Sequence, residues 1–377
     1  MKLTPFTIWT LLALAVTATR SRSARLKTLP GHRETVRHSL PFLLLSLAVF
    51  AVSAVDDPAR LERIHAAPMP PITKPVAFNT PEADAILTAL EIFPPDNPWN
   101  QIVADWPLHL NSKEIVASVG EKKPLRYDAD MAFVLVPPTQ PQVEVKLGQY
   151  AAESDKGPYP VPDSTPIEGW PAFYHRDPKH QAATLDDVQR DAAKLGGDRH
   201  AIVVDPVRRM LFEFYAMKKT DAGWQVAGAA IFDLKSNKLR PDGWTSSDAA
   251  GLPIFPSIVR YDELKRRRID HALRFTVTRS RRAYVAPATH FASKLTETNL
   301  PRMGERFRLR RDFDVSGFSP EVRTILTALK RYGMFVADNG IDWAVSVAPD
   351  ERIPILHEEL RRVKGADFEV VVAPQSK

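Results

Sequence analysis

The chain has 377 residues, with 51 Lys and Arg against 45 Asp and Glu, ten His and no cysteine. The lack of cysteine excludes disulfides, a thiol nucleophile and thiolate metal sites. The net charge of +6 belongs to the leader: residues 1–54 hold seven of the 51 basic residues and one of the 45 acids, leaving 44 of each sign beyond it. The basic balance is therefore no argument for a nucleic-acid partner, and none is expected.

Residues 1–54 carry two apolar runs, Pro5 to Ala18 and Leu40 to Ala54, on either side of an Arg-rich stretch. Both fall short of the roughly 18–20 apolar residues that span a bilayer. The second has the layout of a secretory signal: Arg33, Arg37 and His38, then LPFLLLSLAVF, then small residues at Val52-Ser53-Ala54. Two such runs in tandem suggest a start near Val36 and a mature chain from about Val55. The protein is then expected to be exported, periplasmic or secreted, with no membrane attachment after signal cleavage.

Residues 55–81 are Pro-rich and aperiodic, which predicts a linker or an extended wrap over the domain. Glu82 to Leu90 suits a short helix. Beyond it, strands are predicted at Ala132–Val136, Val143–Leu147, His200–Asp205, Met210–Ala216, Trp224–Phe232, Ile269–Val277, Ala283–Pro287, Arg306–Arg310, Met334–Ala337 and Phe368–Val372. These are short β-branched and aromatic runs bounded by Pro, Gly, Asp and Asn. Three helices interrupt them: Thr184–Leu195, Ser319–Tyr332 with Ser319 as cap and Pro320 in its first turn, and Pro354–Val363. Many short strands with polar loops predict a mainly β single domain over residues 82–377, an antiparallel β-sandwich or jelly roll with a few short helices.

The hairpin DRHAIVVDPVRRMLFEFYA permits a register. With Pro206–Arg209 as the loop, Asp205 pairs with Met210, Val203 with Phe212 and Ile202 with Glu213. His200, Ile202, Val204, Leu211, Glu213 and Tyr215 then share one face, read as a polar binding surface, while Val203, Phe212 and Phe214 face the core. Most carboxylates in the chain sit at turns, where Asp is a standard residue. Glu213 lies within a strand and Asp248 precedes the tight AAGLP corner, so these two stand out as a candidate acid and base or nucleophile. His200 and His271 are candidate orienting or proton-transfer groups. The histidines show no metal-ligand spacing, so neither a metal nor any other cofactor is expected. There is no GxSxG, and no Gly-rich phosphate loop.

Trp99, Trp106, Trp170, Trp224, Trp244 and Trp343 fall in loops or at strand ends, as rings that stack on sugars do. Trp244, Arg260, Tyr261, Asp262, Asp338 and Asn339 are candidate substrate-binding residues. Arg306, Arg308 and Arg310 alternate along one strand and read as a solvated outer face.

Several stretches together, DRHAIVVD with LFEFYAM, NKLRPDGWTSSDAAGLPIFPSIVRYDE, IDHALRFTV, AYVAPATHFAS, RMGERFRLRRDFDVSGFS and ILTALKRYGMFVADNGIDW, resemble a family of exported bacterial proteins. The resemblance covers most of residues 92–370 and implies secretion and a β-rich domain, but brings no reaction with it. Some relatives carry Cys near the first two motifs, where this chain has none. Many have an aromatic where Ala286 stands, which weakens stacking there.

The expected function is cleavage of a polysaccharide or oligosaccharide. Hydrolysis would use Glu213 and Asp248; elimination would use a His or Tyr as base, with an Arg neutralising a uronate. The other reading is a non-catalytic glycan-binding or envelope protein. The oligomeric state is not legible in the sequence.

Overall fold

The structure is a computed structural model that describes residues 57–192 and 197–374. These lie in one compact unit, Ala51–Lys377. The leader and the end of the helix predicted over Thr184–Leu195 fall outside the described residues.

In chain order the strands are β1 (Val76–Ala77), β2 (Arg126–Ala129), β3 (Phe133–Leu135), β4 (Val145–Leu147) and β5 (Ala201–Asp205). They continue with β6 (Met210–Tyr215), β7 (Lys218–Thr220), β8 (Gly223–Val226), β9 (Gly228–Asp233) and β10 (Leu273–Val277). The last are β11 (Arg306–Leu309), β12 (Met334–Asn339), β13 (Ala344–Val347) and β14 (Phe368–Val371). They form three sheets, ordered β1-β3-β5-β6-β9, β14-β11-β12-β10-β13-β2 and β4-β8-β7.

This is not the expected antiparallel sandwich or jelly roll. All three sheets are mixed: β3 runs parallel to β5, β10 to β12, β13 to β2 and β4 to β8. Parallel neighbours cannot be joined by hairpins and need crossovers. Helices accordingly take a larger share than predicted. Pro58–Ala66, Ser112–Val119, Ala172–Arg176 and Tyr261–Lys265 are helical where none was expected. Predicted Ala283–Pro287 makes only a single bridge, Tyr284 to Met303. No helix among the described residues is long and apolar enough to cross a membrane.

The Pro-rich segment is part of the domain. Its first half is the helix Pro58–Ala66, where Arg63 pairs with Asp270. Its second half buries Ile72, Val76 and Phe78 in the main core.

The β5–β6 hairpin has the expected register, with Asp205 opposite Met210, Val203 opposite Phe212 and Ile202 opposite Glu213. The expected polar face, however, is closed. Ile202, Val204 and Leu211 enter the larger core, while Val203 and Phe214 enter a second, smaller one. Glu213 thus lies inside the protein.

The six-stranded sheet turns one face to the helix Pro320–Arg331. Ser319 Oγ accepts from Val322 N at 3.5 Å, Pro320 opens the helix, and Val322, Ile325, Leu326 and Leu329 are buried. The other face carries a polar row, since residues directly opposite across strands point the same way. Ser346 stands opposite Asp128, and Phe335 lies between Arg274 and Arg306. Arg274 reaches Ser346 through Nη1, which links the two halves. The candidate site is built on this row.

Candidate functional site

Arg274 is the hub. It is 3% exposed and grips Asp248 with two hydrogen bonds, Nε to Oδ2 at 3.0 Å and Nη2 to Oδ1 at 2.7 Å. Burial alone would weaken the proton on Arg274, but the Asp248 charge more than reverses this, so the guanidinium is held above its ordinary range. Asp248 itself is fully buried and sits in a loop shaped by short polar contacts. Ser246 Oγ accepts from Asp248 N at 2.9 Å, and Asp248 O accepts from Gly251 N at 3.0 Å. Gly251 has φ +75°, and a Cβ there would run into Thr289 Oγ1 and the Trp244 carbonyl, so the corner requires glycine.

The same loop closes over Glu213. Its carboxylate accepts from Phe255 N at 2.8 Å and from Ile254 N at 2.9 Å. Burial raises its pKa to about 7; the two amides pull it back, while the Asp248 charge adds to the rise.

His200, just before β5, points into the junction between the loop and residue 168. Its Nδ1 and its backbone N both lie 3.1 Å from Glu168 Oε2, and its Nε2 lies 2.8 Å from the Ser247 carbonyl. Each ring nitrogen faces an acceptor, which assigns a proton to both. Burial works against that charge, but Glu168 outweighs it and brings the pKa up to about 9. Glu168 is correspondingly stabilised: burial raises it, the His200 contacts lower it further, and the net direction is down.

Two more acids adjoin this pair from the end of β2. Asp130 is pushed up to about 7, first by burial and then by the charges of Glu168 and Asp128. Its backbone O accepts from Gly169 N at 2.7 Å, which ties it to the Glu168 loop. Its Oδ1 is sealed and has no partner among the described residues. Asp128 is also raised, chiefly by burial. Asp338, at the end of β12, reaches about 7 through burial and the Asp248 charge; it accepts from Asn339 N at 2.6 Å and Ala249 N at 3.3 Å.

Aromatic groups border the acids. Trp170 and Phe173 follow Glu168 within five residues. Phe173 is 64% exposed, and its chain reversal depends on Gly169, whose φ is +79°. On the other flank His357 stacks on Tyr127 at 4.2 Å; burial, then Arg361, lowers its pKa, while the Asp128 charge pulls the other way.

Of the residues singled out in the sequence, Glu213, Asp248, His200 and Asp338 converge around Arg274. Glu213 and Asp248 are 0% exposed, so neither can touch a polymer as acid, base or nucleophile in this structure. His271, Arg260 and Asp262 belong to a different buried cluster. There Glu263 Oε1 accepts from Arg260 Nη2 at 2.6 Å and His271 Nε2 at 2.8 Å, while Arg266 pairs with Asp262. Tyr261 is covered by the Arg352 guanidinium at 3.9 Å, and Trp244 lies against Arg240 at 5.7 Å. Asn339 is exposed and tied to Ser280 and Ala292. Arg306 and Arg308 are buried rather than solvated.

Sequence reasoning passed over Arg274, Glu168, Asp128 and Asp130. Arg274 did leave a signal, a single charge inside the apolar run HALRFTV, which asks for a buried counter-charge. Among the described residues no group of three or more His, Asp or Glu is placed to hold a metal ion. No family model matches the chain, and no curated protein or solved structure is significantly similar to it.

Proposed function

We propose that this protein is an exported hydrolase of glycosidic bonds, acting on a polysaccharide or oligosaccharide. Asp130 serves as general acid and Glu168 as base or nucleophile. The observation that carries this is the meeting of two loops, where Asp130 O accepts from Gly169 N at 2.7 Å and His200 holds Glu168 Oε2 at 3.1 Å. In that setting burial raises the Asp130 carboxyl and the His200 contacts lower that of Glu168. One proton-bearing and one ionised carboxyl is the arrangement glycoside hydrolysis needs. Glu168 keeps 19% exposure of its side chain, and Trp170 and exposed Phe173 stand beside it as stacking surfaces.

Hydrolysis is favoured over elimination because neither candidate histidine has a ring nitrogen free to face a substrate. Both nitrogens of His200 face acceptors, and His271 is held between Glu263 and the Ala272 carbonyl. Glu213 and Asp248 become supporting groups that fix the loop and Arg274.

The test is incubation of the purified chain with neutral and uronic-acid polysaccharides, followed by assay of reducing ends. Reducing ends from one polymer, lost in Asp130→Asn and Glu168→Gln with the circular dichroism unchanged, support the assignment. Unsaturated sugar products, or activity unchanged in both variants, overturn it. Binding to a polymer without cleavage returns the protein to the glycan-recognition class.

A further inference from the structure

We propose that the pocket beside Arg306 binds a small carboxylate carried on an apolar body, independently of the hydrolytic reading above. The pocket holds about 390 Å³, within the range of small-molecule sites. Its walls are largely apolar, with Trp106, Leu239, Val285 and Pro287 around Arg306 and Phe335.

Arg306 is 5% exposed, yet no carboxylate pairs with it among the described residues. Its Nε donates to Tyr332 O at 2.8 Å and its Nη2 to Pro98 O at 3.2 Å, while its Cζ lies 4.0 Å from the centroid of the Phe335 ring. These contacts fix the fork and occupy two of its three nitrogens. Nη1 has no acceptor among the described residues, and it is not among the sealed, unpartnered atoms of the interior. Burial unopposed by any acid lowers the pKa of Arg306 to about 9.

The acids on the pocket wall are already engaged. Glu305 gives both oxygens to Arg302, at 2.7 and 2.8 Å, and exposed Asp96 accepts from Asn237 at 2.8 Å. A buried cation with one open nitrogen and no counter-charge among the described residues, at the edge of an apolar cavity, calls for an anion brought by the ligand. The apolar walls call for a hydrophobic remainder.

The test is calorimetric titration of the full chain with 2-naphthoate and with the neutral 2-naphthamide. The acid is expected to bind roughly 10- to 100-fold more tightly than the amide, the range of a charged hydrogen bond. Arg306→Gln should erase that preference. Val285→Trp, which fills the pocket from its rim and leaves the Arg306 contacts in place, should abolish binding of both probes and keeps the proposal testable if Arg306→Gln does not fold. Equal affinity for acid and amide, binding unaltered in Val285→Trp, or no saturable binding of millimolar naphthoate would each overturn it.

Discussion

Arg274 and Asp248 form a two-point ion pair, 2.7 and 3.0 Å long, in which neither residue exceeds 3% exposure. A buried pair of this kind contributes little by existing but costs a great deal when halved. Arg274→Met should destabilise the protein by about 3–5 kcal/mol, because it strands the Asp248 charge. Asp248→Leu together with Arg274→Met should regain much of that loss. Chemical denaturation of the two single variants and the double variant measures both effects.

The titratable groups predict a stability maximum in mildly acidic solution. His200 has a folded pKa of about 9 against an ordinary 6.5, so its contribution is complete below 6.5 and disappears as pH climbs through 9. Glu213, Asp130 and Asp338 are also raised, each to about 7, so their contributions are complete only below their ordinary values near 4 and are lost by about pH 7. Glu263 acts oppositely: lowered to about 2, it stabilises above 4.5 and loses this as pH falls toward 2. The melting temperature should therefore peak near pH 5, and decline between pH 5 and 9. Thermal unfolding across pH at fixed ionic strength tests this; a midpoint that rises from pH 5 to 8 contradicts it.

Glu213 is fully buried and accepts two backbone amides. Glu213→Leu leaves Ile254 N and Phe255 N unpaired and should cost about 1–3 kcal/mol for each. Glu213→Gln retains an acceptor oxygen and resembles the protonated acid, so it should cost about 1 kcal/mol. It should also flatten the decline in stability between pH 5 and 7. Equal losses in the two variants would show that the amides find other partners.

The cap at Ser319 provides a control remote from the acids. Ser319→Ala removes the acceptor for Val322 N and should cost about 1 kcal/mol while leaving any hydrolytic activity unchanged. Urea unfolding and the reducing-end assay, run on the same preparation, check both halves.

The hairpin and the capped helix were legible because their determinants are local. A Pro-containing loop sets the pairing of Val203 with Phe212, and the Ser319–Pro320 start with a Gly333 stop bounds the helix. β2 and β13 were not legible: RYDA and AVSV have no strand pattern of their own and are held by parallel partners distant in sequence. The sandwich expectation failed for the same reason, since parallel pairing is set by crossovers rather than by periodicity.

His200, Glu213, Asp248 and Asp338 were recognised, but the burial of Glu213 and Asp248 was not. Glu213, in a strand, was taken as exposed, whereas it is buried against the amides of Ile254 and Phe255, as Asp248 is against Arg274. Asp130 and Glu168 come from separate loops, in DADM and IEGW, and nothing in their spacing joins them before the chain folds.

The proposed reaction requires that Asp130 carry a proton near neutrality while Glu168, beside the His200 imidazolium, does not. The most direct measurement is a carbon-13 NMR titration of the Asp and Glu carboxyl carbons, assigned with Asp130→Asn and Glu168→Gln. The Asp130 signal is expected to move near pH 7 and the Glu168 signal below the ordinary Glu value of 4.5. Titration of both groups together in the ordinary carboxylate range would contradict it.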